Sequence, residues 1–136
     1  MSKEAMEPPG HQKRSVGQWA SIAISIMVAT VLLATGGQKL LGTEQMIMVF
    51  DQIGIGAWFR IVSGLFEIAA ALLLLGQKHR LIGALMATAV GIGTIATYGA
   101  IGNNTLTAKL LFALSAALVI ANWSNINQVL GDRTKA

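Results

Sequence analysis

The chain contains no cysteine, which excludes disulfides, thiolate ligands, iron–sulfur clusters and thiol chemistry. Its two histidines lie near segment ends, so a haem or metal site would lack its usual ligands. Charge is scarce as well. Only 12% of the 136 residues are charged against 54% apolar, and the mean hydropathy is +0.62. That balance leaves too little polar surface for a soluble domain of this length, and makes a bilayer the natural solvent. The net charge is +4 and the pI about 9.9, but the cations are divided among the termini and a short loop. They form no basic face, and nucleic acid is not an expected partner.

What is present is a set of long apolar runs. No charge falls between Arg14 and Lys39, and the run from Trp19 to Thr35 is long enough to cross the hydrocarbon layer. This first span continues as helix to about residue 41, and no clear small-x-small cleavage site follows it, so it reads as retained rather than as a signal peptide. Further spans are expected over about 58–75, 81–99 and 106–123, with Gly102-Asn103-Asn104-Thr105 supplying the turn before the last. The expected fold is all-α, an integral membrane four-helix bundle. Residues 1–15, with Pro8-Pro9-Gly10, read as a disordered tail, 16–125 as the bundle, and 126–136 as a second tail.

Lys3, Lys13, Arg14, Lys78, Arg80, Arg133 and Lys135 gather on one side of such a bundle, with only Lys39, Arg60 and Lys109 on the other. The positive-inside rule therefore places both termini in the cytoplasm. The connection from Gly42 to Ala57 is not ordinary loop sequence. Thr43 can cap a short helix whose apolar face is Met46, Ile47, Val49, Phe50 and Ile53, with Glu44, Gln45, Asp51 and Gln52 polar. This amphipathic helix between the first two spans should lie over the mouth of the bundle, as a packing lid or as an element that docks a partner or gates a substrate.

Glu67 is the most informative residue. A carboxylate near the middle of a span costs about 2.5–3.5 kcal/mol on insertion scales, so it should face the bundle interior with a partner or a proton. Arg60 stands seven residues earlier on nearly the same face, about 10 Å along the axis, with Gly64 leaving the space between them clear. That is a long reach for one side chain. The end of the first span brings Lys39 to similar depth, which gives an expected Arg60–Glu67–Lys39 network. Such a network can fix helix pairing, carry a proton on Glu67, or bind a polar head group through Arg60 and Lys39. Tyr98, with Thr94 and Thr97 near it, reads first as an interfacial anchor and second as a ligand contact. Gly91, with Gly93, Ala87 and Ala89, marks a small-residue surface for close helix packing.

Gly37-Gln38-Lys39-Leu40 closing the first span, and Arg60-Ile61-Val62-Ser63-Gly64-Leu65-Phe66-Glu67 opening the second, resemble the pattern of the DoxX and DoxX-like family of small four-helix membrane proteins. They are also similar to animal relatives that act as chaperones of nicotinic acetylcholine receptors. The resemblance covers about residues 20 to 122 in layout, and residue by residue from Gly37 to about Ala71. It carries over Lys39, Arg60, Gly64 and Glu67. It implies an inner-membrane protein with one of several roles: a subunit of a quinone-linked thiosulfate oxidoreductase, a membrane partner in redox-stress complexes, or an assembly factor. The expectation taken forward is an accessory subunit or scaffold whose polar pocket holds a lipid, quinone or similar amphiphile. Its partners would be the bilayer and a membrane protein or a second copy of the chain. The alternatives are a quinone-linked oxidoreductase, with Glu67 relaying a proton, and a small-molecule permease built as an oligomer.

Overall fold

The computed structural model describes residues 16–134, with side chains as far as Trp123. The tail expected over 1–15 lies outside the described residues. Five helices follow one another: α1 (Val16–Leu41), α2 (Glu44–Ile53), α3 (Ala57–Leu75), α4 (Arg80–Ala100) and α5 (Leu106–Thr134). Among the described residues there is no strand. Four segments, Val16–Leu41, Ala57–Leu75, Arg80–Ala100 and Leu106–Trp123, are long and apolar enough to cross a membrane. The protein is an all-α, multi-pass membrane helical bundle. No proline interrupts the sequence after Trp123, and α5 runs on to Thr134, well past its membrane span. The segment read as a tail from residue 126 is thus helical through Thr134.

Around the bundle, α1 packs on α3, α3 on α4, α4 on α5, and α5 back on α1. The core is small-residue rich, with Ala29, Ala70, Ala71, Ala84 and Ala87 packed beside Val28, Leu32, Leu74, Leu111 and Leu118. Lipid tails are as apolar as these side chains, so close packing takes the place of hydrophobic burial as the cohesive term. The large apolar residues accordingly turn outward: Ile26, Leu65, Leu72, Ile92 and Ile120 are all exposed. Three helix pairs each meet at glycine. A Cβ at Gly36 would lie 2.9 Å from the Gly64 carbonyl, one at Gly83 2.5 Å from the Leu74 nitrogen, and one at Gly91 3.0 Å from Phe112 Cα. The packing role expected of Gly91 therefore has a defined neighbour, the backbone of α5.

That contact predicts a contrast. Gly91→Ala should destabilise the bundle by about 1 kcal/mol, because the contact with Phe112 must open by a few tenths of an ångström. Among the described residues nothing lies within 4 Å of the Cβ position of Gly37, so Gly37→Ala should gain about 0.5–1 kcal/mol from helix propensity alone. Melting curves in detergent should move in opposite directions for the two variants.

The chain passes from α1 to α2 through Gly42 (φ +66°). The left-handed backbone there favours glycine, and a Cβ would lie 2.7 Å from Nη1 of Arg60, so the guanidinium would have to shift to make room. Gly54, in the left-handed conformation, closes α2 with its N–H directed at the Phe50 and Asp51 carbonyls. The lid differs from its sequence reading at two places. Thr43 occupies the N-cap position, but its side chain makes no capping bond. Its Oγ1 is instead buried without a hydrogen-bond partner among the described residues. Met46, Val49 and Phe50 are buried, while Ile47 is 41% exposed, because the i, i+3, i+4 stripe that meets the bundle leaves residue 47 on its flank.

Candidate functional site

The Gly36–Gly64 crossing places the polar cluster. With no side chains between the two backbones, α1 and α3 come close enough for the residues flanking Gly36, Thr35 below and Lys39 above, to meet Glu67 on the next turn of α3. Glu67 is 2% exposed, and it lies ten residues into α3, roughly 15 Å along the helix axis. Its Oε1 pairs with the Lys39 ammonium, and its Oε2 accepts a hydrogen bond from Thr35 Oγ1 at 2.7 Å. Thr35 Oγ1 also lies 3.0 Å from the Val31 carbonyl. It has one proton to give, and the shorter, charge-assisted bond to Glu67 is the stronger. The Lys39 ammonium also stands 5.8 Å from the centre of the Phe50 ring, beneath the lid.

Arg60 is placed otherwise than the sequence suggested. Its Nη1 donates to the Lys39 main-chain carbonyl at 2.6 Å, where a cation satisfies the open carbonyls at the C-terminus of α1. Two turns of α3 are too long a span for it to reach Glu67 when that acceptor is nearer. The observed network is Thr35–Glu67–Lys39, with Arg60 attached through the backbone of Lys39. Thr35 went unnoticed in the sequence. It lies one turn before Lys39, so any partner that Lys39 finds on α3 falls within its reach too.

Beside this cluster is a cavity of about 320 Å³, walled by α3 and α4, roofed by α2 and closed at the back by Lys39 and Glu67. Its position follows from the glycines. At the Gly83 crossing α3 and α4 touch through their backbones, whereas among the described residues nothing lies within 4 Å of the Cβ position of Gly93. The cavity lies on the Gly93 side of that crossing, under Val49, Phe50 and Ile53 of α2. Phe50, Phe59, Phe66 and Tyr98 line it, three of the four phenylalanines in the chain and its only tyrosine. The Phe50 and Phe59 rings are 6.2 Å apart and tilted. Arg60 is absent from the lining.

The polar groups in the cavity divide into used and available. Ser63 donates to the Arg60 carbonyl and Thr94 to the Val90 carbonyl, and the Thr97 hydroxyl bonds the Gly93 carbonyl. The Tyr98 hydroxyl is 3.9 Å from Met46 Sδ, and a thioether is a weak acceptor. Tyr98 thus lies inside the site, with a donor open to a better partner. Below Glu67, Leu32, Leu74 and Leu118 are 0–1% exposed and seal the cluster from the opposite half of the bundle. The site is a one-sided, aromatic-walled recess with a charge-balanced polar end. No protein-family model matches the chain, and neither a curated protein nor a solved structure matches it.

Proposed function

We propose that this is a DoxX-like inner-membrane protein with both ends in the cytoplasm. In this reading it is an accessory subunit or scaffold whose recess holds one lipid, quinone or similar amphiphile. The observation that carries the reading is the buried Lys39–Glu67 pair at the closed end of a half-open apolar cavity. A pair that served only to join α1 to α3 would gain from being sealed. Here it forms the wall of a space lined by aromatic side chains, the composition of a small-molecule site in which a few polar groups fix orientation. Lys39 and Glu67, with Tyr98 opposite them, are the contacts assigned to the polar head. Arg60 supports Lys39 from behind, and Gly64 makes the approach of the two helices possible. The resemblance in the sequence from Gly37 to Ala71 supports the family reading, and the excess of Lys and Arg on the other side of the bundle supports the orientation.

The test is thermal stabilisation of the purified protein by added amphiphiles. A ligand present at 100 times its dissociation constant should add about 2.7 kcal/mol to stability. The variant carrying both Lys39→Met and Glu67→Leu should lose most of that gain. An equal gain in the variant would remove the polar pair from the site.

A further inference from the structure

The recess has a side door. Val62 is 53% and Phe66 41% exposed on α3, and Ala89 and Gly93 are exposed on α4, yet all four line the cavity. They are the rims of one gap, which faces the hydrocarbon of the leaflet on the α2 side. The route from the aqueous end is covered by Val49, Phe50 and Ile53 of α2, of which Val49 and Phe50 are each 6% exposed. We infer that the ligand enters sideways from the bilayer through the α3–α4 gap over the Ala89–Gly93 sill, and that it is an amphiphile with an uncharged head bearing hydrogen-bond acceptors. This rests on the amphiphile reading proposed above and narrows it.

The narrowing comes from charge and from volume. Lys39 and Glu67 cancel, and Arg60 is committed to the end of α1, so an anionic or cationic head would bring an unbalanced charge into low dielectric. Donors are in surplus. Glu67 takes one of the three N–H groups of Lys39, and the Tyr98 hydroxyl faces only sulfur. A carbonyl or ester oxygen satisfies both donors without adding charge. A cavity of about 320 Å³ is at the small end of ligand sites, so it takes a head and leaves the chain in the gap, among lipid tails. Gly93 is then a gatekeeper: any large side chain there has room to stand, and it would stand in the doorway.

Photolabelling of the full-length protein in lipid vesicles tests this. The two probes are a monoacylglycerol with a diazirine near the head and the same chain carrying a phosphate head. The neutral probe should label peptides covering 59–66 and 89–97, and Gly93→Phe should reduce that labelling by roughly tenfold. Ala89→Leu should do the same as a second block, while Ile92→Phe, facing lipid on the same helix, should leave it unchanged. Labelling by the phosphate-headed probe that equals or exceeds the neutral one would overturn the uncharged head. Undiminished labelling in both blocked variants would overturn the side entrance, and in either case the amphiphile site itself would stand. Absence of label from the recess with both probes would remove the site and the inference together.

Discussion

Glu67→Leu with Lys39 left in place should lower the unfolding free energy by about 3–5 kcal/mol, and Lys39→Met alone by a similar amount. Each single change leaves one charge buried without its counter-ion. Changing both together should cost far less than the sum, since neither charge then remains and the two new side chains are apolar and of similar length. Thr35 loses its carboxylate partner in that double variant, but its hydroxyl still has the Val31 carbonyl at 3.0 Å. The unfolding experiment in detergent thus forms a double-mutant cycle, whose interaction term should be large. A parallel cycle between Arg60→Gln and Glu67→Leu should show a smaller interaction term, because Arg60 is linked to the carboxylate only through Lys39, whose carbonyl it bonds. Additivity in the first cycle would mean that the ion pair does not hold α1 to α3.

The second large effect lies in the backbone that makes the pair possible. Gly64→Val should destabilise by about 3 kcal/mol, the upper end of the cost of overpacking. Its Cβ would lie 3.0 Å from the Gly36 carbonyl and 3.1 Å from Lys39 Cβ, and the two added methyl groups have no space unless the helices part. Parting them also pulls Lys39 from Glu67. In the Gly64→Val background, removing Glu67 should therefore cost much less than in the wild type. Retention of the full Glu67 penalty there would show that the pair survives without the close crossing.

The four spans were legible because a bilayer imposes a length and an apolar content that few other structures share, and each run ends at charge, glycine or turn residues. Glu67 and Lys39 stood out for the complementary reason: a charge inside such a run is costly enough to demand a partner. The partner's identity was less legible. Helical periodicity puts Arg60 on the face of Glu67, but it carries no information on the open carbonyls at the end of α1, which are nearer and hold the guanidinium. Thr35 was hidden because a threonine in an apolar helix usually bonds its own backbone, as Thr30 does here with Ile26. The recess had no sequence signature at all. Its aromatic lining comes from three helices, which only their packing brings to one place. The lid was read correctly as amphipathic, but the exact stripe depends on how α2 is turned on the bundle, which left Ile47 outside and the Thr43 hydroxyl buried.

Native mass spectrometry of the protein released from its own membranes in mild detergent measures the central claim most directly. The wild type should carry one tightly held amphiphile per chain, and the double Lys39→Met, Glu67→Leu variant, folded to comparable stability, should be released bare. A wild-type protein with no retained ligand, or a double variant that retains the same mass, would contradict the account.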